Sequence, residues 1–256
     1  MTGALALAAR SALRIGSGLV QMATGTSQAQ FVDTMLQEAT TLALNELKPG
    51  VLDPSALEQL RQGLSKAKAV SFGPGMGQAV EVAEFLSGLI EHCHKPLVID
   101  ADGLNALAFD LKVLARAKGP IILTPHPGEM ARLTGLTIEE VLNNRLDLAL
   151  EKAVEWKVVL VLKGQSTIVV SPDGRAFLNP TGNPILGTAG AGDVLTGCIT
   201  GLLAQGVEPL EAACLGVYCH GLAGDILTEK IGVRGALAHE VSDILPRAMR
   251  RIQDDK

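Results

Sequence analysis

Ala69-Val70-Ser71-Phe72-Gly73-Pro74-Gly75-Met76-Gly77 is a short strand-forming run that empties into a glycine-proline loop, and a helical pattern follows from about residue 79 to 91. The unit repeats. Leu97-Val98-Ile99-Asp100 runs into Ala101-Asp102-Gly103-Leu104-Asn105 and a helix from Gly103, and Ile121-Ile122-Leu123-Thr124 runs into Pro125-His126-Pro127-Gly128-Glu129. Strands alternating with helices predict parallel strands joined by helical crossovers, an α/β fold. Upstream, residues 19–23 read as a strand and residues 54–66 as a helix, with Asp53 as N-cap and Pro54 in the first turn. Downstream the rhythm changes: residues 158–163, 167–171 and 176–178 are three strands in close succession, the last two joined through Pro172-Asp173-Gly174, which predicts antiparallel pairing. From Gly192 onward the pattern is helical, in segments near 193–204, 209–229 and 239–252. No repeat, linker or low-complexity stretch interrupts the chain, so one α/β domain over residues 1–256 is expected.

Composition narrows the function classes. The 256 residues are 47% hydrophobic but only 3% aromatic, and 22 basic against 27 acidic side chains leave a net charge of -5. Few aromatics disfavour stacking on single-stranded nucleic acid, and the acidic balance removes the basic surface that a phosphate backbone needs, so no nucleic-acid partner is expected. Cys93, Cys198, Cys214 and Cys219 form no CxxC pair, which points to free thiols in a reducing compartment, the cytoplasm. No apolar run is expected to reach the ~18 residues a membrane span requires; the best candidates are residues 158–162 and 195–204. Arg10 and Arg14 precede the first acid, Asp33, as in a transit peptide, yet Leu5, Ala9, Ala12 and Leu13 make an ordinary helical stripe that Gly16 ends.

In open α/β sheets ligands bind beyond the carboxyl ends of the strands, which singles out four loops. The Gly73 to Gly77 loop is neither GxGxxG nor a P-loop, and alone it is a weak signal. Asp100, Asp102 and Asn105 suit either a water-bound Mg²⁺ or helix capping. His126, between two prolines, is held in place as a ligand contact would be, and Glu129 after it suits the start of a helix. The fourth loop, Thr181-Gly182-Asn183-Pro184-Ile185-Leu186-Gly187-Thr188-Ala189-Gly190-Ala191-Gly192-Asp193, opens a helix. Backbone N–H groups of Gly190, Ala191 and Gly192 at a helix N-terminus make an anion hole. An acid at its lip weakens a static phosphate site but suits a general base, so Asp193 is the expected catalytic residue for phosphoryl transfer to a hydroxyl. His92-Cys93-His94 reads as a solvated helix end, His220 as a packed helix residue and His239 as surface. Neither GxSxG nor HExxH occurs.

Taken together, the Gly73 to Gly77, Val98 to Asn105 and Thr124 to Glu129 motifs, Lys163-Gly164-Gln165-Ser166-Thr167, and Asn179-Pro180-Thr181-Gly182-Asn183 with Gly190 to Gly197 resemble the ADP- or ATP-dependent NAD(P)H-hydrate dehydratases of the ribokinase-like superfamily. The resemblance runs from residue 3 to about residue 250 and includes His220-Gly221-Leu222-Ala223-Gly224-Asp225. It implies a three-layer fold with a mostly parallel central sheet flanked by helices. It also implies a metabolite-repair lyase that phosphorylates the hydroxyl of NAD(P)H hydrate and eliminates phosphate to restore NAD(P)H. Position by position, hydrate contacts fall on Ala4, Gly75, Gly77, His126 and Asp193, and nucleotide contacts on Lys163, Gly164, Gln165, Ser166, Thr167 and Gly192. Mg²⁺ would bridge the phosphates of ADP or ATP, with Glu129 reaching it through water. Bacterial members typically use ADP, which the compact form favours. A homo-oligomer, tetrameric by resemblance, is implied, and so is a separate NAD(P)H-hydrate epimerase, since this length leaves no room for a fused one.

Three positions depart from the family pattern. The usual first strand ahead of residue 3 is missing. Ala191 stands for Ser or Thr, which keeps the backbone donor, and Pro184-Ile185-Leu186-Gly187 differs from Pro-Gly-Met-Ala. The same anion hole and Asp193 would also serve a small-molecule kinase of the superfamily acting on a hydroxymethylpyrimidine, a hydroxyethylthiazole or a sugar. A non-catalytic nucleotide-binding fragment is the alternative from another class.

Overall fold

Leu97-Val98-Ile99 and Ile121-Ile122-Leu123 contain no polar side chain and all six residues are buried, so a sheet made of such strands has to be covered on both faces. The computed structural model, which describes residues 1–254, shows how. Strands β1 (Gln21–Gly25), β2 (Thr40–Leu44), β3 (Glu46–Lys48) and β4 (Val51–Leu52) come first, and β5 (Val70–Phe72), β6 (Leu97–Ile99), β7 (Ile121–Leu123), β8 (Val159–Leu162), β9 (Ile168–Val170) and β10 (Ala176–Leu178) build the central sheet in the order β10-β9-β8-β7-β6-β5. β5 to β8 pair in parallel, with Val70 opposite Leu97, Leu97 opposite Ile121 and Ile122 opposite Val159. β9 and β10 pair antiparallel, as the closely spaced strands predict.

Alternate residues of each central strand enter different cores. Leu97, Ile99, Leu123, Leu160 and Leu162 pack with α4 (Val80–His92), α5 (Asp102–Leu107), α6 (Pro127–Thr134), α7 (Ile138–Asn143) and α8 (Arg145–Trp156). Val98, Ile122, Val159, Val161 and Val169 pack with α9 (Ala191–Ala204), α10 (Pro209–Ile231) and α11 (Ala238–Asp254). The outcome is the expected three-layer α/β architecture.

α1 (Thr2–Arg14) crosses α9 through small residues. A Cβ on Gly197 would lie 2.0 Å from the Ala8 carbonyl oxygen, so only glycine lets the two backbones meet there. Asp243 of α11 then takes Arg10 at 2.9 Å and Arg14 at 3.0 Å, which ties α1 to a second helix.

The N-terminal half departs most from expectation. β1 pairs with β2 in parallel across α2 (Thr26–Met35), and this ladder stands apart from the central sheet, whose edge is β5. No strand precedes α1 among the described residues. The helix expected over residues 54–66 divides into a 3₁₀ turn, Pro54–Ala56, and α3 (Leu57–Lys66), with Asp53 capping Ser55 N–H at 2.8 Å as anticipated. The expected shortness of every apolar run is corrected by α10, whose 23 residues are long and apolar enough to cross a membrane by length and composition. Its buried face packs into the core with α9 and α11, and it carries Asp225 and the buried His220. The last two residues of the predicted domain, 255 and 256, lie outside the described residues.

Candidate active site

Parallel strands deliver the residues that follow them to one edge, so Asp100 after β6, Thr124 after β7 and Lys163 after β8 become neighbours although they are far apart in the chain. Asp100 is 1% exposed; its Oδ1 accepts from Lys163 Nζ at 2.6 Å and its Oδ2 from Thr196 Oγ1 of α9 at 2.7 Å. Lys163 Nζ also lies 3.6 Å from Glu129 Oε2. Burial alone would lower the Lys163 pKa, but Asp100 and Glu129 outweigh it and the ammonium is held above its ordinary value. The result is a fixed cation between two buried carboxylates. A Cβ on Gly192 would lie 3.5 Å from Lys163 Nζ and 3.6 Å from Asp100 Oδ2, which places this pair directly under the first turn of α9.

That turn carries Asp193. Burial pushes its carboxyl up to about 6, and the nearby Asp100 adds to the rise; Lys163 opposes it, Asp102 adds again and the chain's amino terminus opposes. A carboxylate poised near neutrality is a usable general base. The N-cap is Gly190 at φ 89°, and no side chain caps the helix. The expected hole of three N–H groups is corrected in one respect: Ala191 N–H turns back to the Thr188 carbonyl at 3.2 Å, and Ala191 is buried. Gly190, Gly192 and Asp193 N–H groups have no protein acceptor among the described residues, so these three donors, and not that of Ala191, are left for an anion.

The loop ahead of α9 is strapped to α10. Asp225 accepts from Gly182 N–H at 3.0 Å and Asn183 Nδ2 at 2.8 Å, and Thr181 Oγ1 donates to the Tyr218 carbonyl at 2.9 Å. This accounts for the polar residues of α10 beside the motif that begins at His220. His220 is the packed helix residue expected, with its pKa pushed down to about 4 by burial.

Other expected residues have visible structural roles. His126 is the N-cap of α6: Nδ1 accepts from Gly128 N–H at 3.0 Å and Glu129 N–H at 3.2 Å, and Glu129 Oε2 answers by accepting from His126 N–H at 2.8 Å. With Nδ1 accepting, the neutral ring carries its proton on Nε2, 3.4 Å from Glu129 Oε1, and much of the ring stays exposed. Gly77 N–H donates to Asp102 Oδ2 at 2.8 Å, and the Met1 amine donates to the Gly75 carbonyl at 2.6 Å. Ala4 is buried on α1, the helix whose Leu7 abuts Gly190. Gly164, Gln165, Ser166 and Thr167 form the turn between β8 and β9. Among the described residues no cluster of three His, Cys, Asp or Glu side chains is arranged to hold a metal, and both Asp100 and Glu129 are engaged by protein donors. The motifs alone did not identify Thr196 or the charge pairing of Lys163. The available signal was a lysine at the end of a buried strand, where a lone charge demands a partner.

The family model of the NAD(P)H-hydrate dehydratases matches residues 1–247. A bifunctional NAD(P)H-hydrate repair enzyme of Moorella thermoacetica is 42% identical over 255 residues, which is 100% of this chain and 48% of that protein. The chain thus spans about half the length of the first curated relatives it matches. The ADP-dependent (S)-NAD(P)H-hydrate dehydratase of Bacillus subtilis is 35% identical, covering 99% of this chain and 86% of the relative. A crystal structure of the Bacillus subtilis ADP/ATP-dependent NAD(P)H-hydrate dehydratase, co-crystallised with ATP/Mg²⁺ and soaked with CoA, superposes with a TM-score of 0.83 at 33% identity over 98% of this chain and 87% of that one. With a matched family model over nearly its full length, this chain belongs to the NAD(P)H-hydrate dehydratase family.

Proposed function

We propose that the chain catalyses nucleotide-dependent dehydration of NAD(P)H hydrate to NAD(P)H, with ADP, or ATP in its place, as the phosphoryl donor. One observation carries the reading: Asp193, with its pKa raised to about 6, stands beside the free N–H groups of Gly190 and Gly192 and the fixed Lys163 ammonium. The names of the relatives support the substrate.

Asp193 takes the proton of the ring hydroxyl as its oxygen attacks the terminal phosphorus of the nucleotide. The bridging P–O bond breaks and AMP leaves when ADP is the donor. N–H groups at Gly190 and Gly192 and the Lys163 ammonium stabilise the charge that spreads over the transferred phosphoryl oxygens. The C–O bond of the phosphorylated hydrate then breaks, inorganic phosphate departs, and loss of a proton from the adjacent ring carbon restores the dihydropyridine. Mg²⁺ bound with the nucleotide would offset phosphate charge, and Glu129 would hold it only through water. Ala4, Gly75, Gly77 and His126 are assigned to the hydrate, and Lys163, Gly164, Gln165, Ser166, Thr167 and Gly192 to the nucleotide.

We read residues 1–256 as one catalytic domain acting in the cytoplasm as a homo-oligomer, beside a hydrate epimerase. The deciding experiment supplies NADH hydrate with ADP, then ATP, and follows the return of reduced-nicotinamide absorbance. Recovery of the signal is expected. Turnover of a thiazole, pyrimidine or sugar alcohol with none of the hydrate would overturn the assignment; a hydroxyethylthiazole kinase of Pyrococcus horikoshii shares the fold, with a TM-score of 0.61 at 21% identity. Tight nucleotide binding without any turnover would favour the non-catalytic reading.

A further inference from the structure

Arg145, the first residue of α8, is a cation in a place that disfavours one. It sits at the helix end where the macrodipole favours negative charge. No carboxylate pairs with it among the described residues. Its Nε is buried without a partner, and burial lowers its pKa. The Arg145 guanidinium binds only carbonyls: Nη1 donates to Gln165 O at 2.6 Å, and Nη2 to Leu162 O and Ser166 O at 3.4 Å each. All three belong to β8 and the turn that follows it.

The turn itself needs holding. Gly164 has φ 146° and Ser166 has φ 51°, two residues in the left-handed half of conformational space within three positions. The Arg145 guanidinium occupies the space beside Gly164, since a Cβ there would lie 3.0 Å from Nη2. Thr167 Oγ1 adds a bond to Gly164 O at 3.1 Å. The carbonyls of this turn are thus taken from within the protein, whereas the N–H groups of Gly164, Gln165, Ser166 and Thr167 have no protein acceptor among the described residues. Successive unclaimed N–H groups on such a backbone form an anion-receiving concavity. It adjoins Lys163, whose ammonium reaches the first turn of α9.

We infer that Arg145 is a positioning residue for the nucleotide: it clamps the carbonyls of Leu162, Gln165 and Ser166, so that the opposite face of the turn offers its N–H groups to the anionic part of an adenine nucleotide, whose charge balances the unpaired guanidinium. The inference rests on the proposed function. It goes beyond it by assigning nucleotide affinity to a side chain outside the motifs.

The test is a comparison of R145A, R145Q and R145K with the wild type, by calorimetric titration with Mg·ADP and by steady-state kinetics. R145A is expected to weaken nucleotide binding and raise the nucleotide KM by about tenfold or more, with the hydrate KM within about twofold. R145K is expected to recover little, because one ammonium does not reproduce the planar fork that spans three carbonyls. Millimolar guanidinium should partly restore R145A. Should R145A fail to fold, R145Q, which keeps a planar amide donor on a shorter side chain, carries the same comparison. A folded variant with unchanged nucleotide affinity, or with both KM values raised alike, overturns the assignment of Arg145 and leaves the proposed function intact. Wild-type protein that binds no adenine nucleotide overturns the functional reading first, and the inference with it.

Discussion

Asp100 and Lys163 are 63 positions apart in the chain, yet their charged atoms meet at 2.6 Å with Asp100 buried. Removing one member of a buried pair leaves the other uncompensated, so Asp100→Asn should cost ~3 kcal/mol in urea unfolding. The same change removes a negative neighbour of Asp193, which helps to hold that carboxyl up at about 6. The midpoint of kcat/KM against pH should therefore move to lower pH in Asp100→Asn. A midpoint that stays in place would show that the Asp100 charge does not raise the Asp193 pKa.

Asp193→Asn removes the proposed base but none of the backbone donors, so turnover should fall by about 10²–10⁴-fold while Mg·ADP binding is largely kept. Stability should change in the opposite sense. The folded carboxyl titrates at about 6, above the ordinary 3.8, so the native state binds more protons than the unfolded state in that window and loses stability as pH rises through it. Asn carries no such penalty. Thermal melts should show the variant more stable than wild type at pH 7 to 8, with the difference vanishing below about pH 4; equal melting curves at every pH would argue against a strained base.

The parts of the molecule legible from the amino-acid order are those with a local cause. Leu97-Val98-Ile99 and Val159 to Leu162 are apolar in every position, which only a two-sided burial tolerates, and the acid or base after each marks the sheet edge. β2 was not legible because Thr40-Thr41-Leu42-Ala43-Leu44 has a polar start and only Leu44 buried. The motifs located Asp193 and the Lys163 turn, but not what Lys163 touches: Thr196 lies 96 positions from Asp100 and joins it only because α9 crosses the strand ends. A free N–H is expected at Ala191 from its place at a helix N-terminus; the Thr188 carbonyl that takes this N–H depends on the shape of the loop, which composition does not specify.

Gly197 tests whether the seat of α9 governs the site. A Cβ there would meet the backbone of Ala8 at 2.0 Å, and backbone cannot rotate away as a side chain can. Gly197→Ala should destabilise the protein by at least ~2 kcal/mol despite the better helix propensity of alanine. Since α9 also carries Asp193, displacement of the helix from α1 should lower kcat in the fraction that remains folded. Full stability in denaturant titration would mean that α1 and α9 separate at little cost.

His126 serves two assignments, a helix cap seen in the structure and a hydrate contact proposed from the family resemblance, and two substitutions separate them. Asn is among the best N-cap residues, and its side-chain oxygen can accept from the Gly128 and Glu129 N–H groups that Nδ1 now takes at 3.0 and 3.2 Å. His126→Asn should therefore melt within about a degree or two of wild type, whereas His126→Ala should lose ~1 kcal/mol with the cap. Both remove the imidazole Nε2–H. If that group contacts the hydrate, both variants should raise the hydrate KM alike and leave the nucleotide KM unchanged, whatever their stability. A hydrate KM raised only in His126→Ala would assign the histidine to capping, because loss of the cap disturbs Glu129 and, through it, the Lys163 ammonium 3.6 Å away.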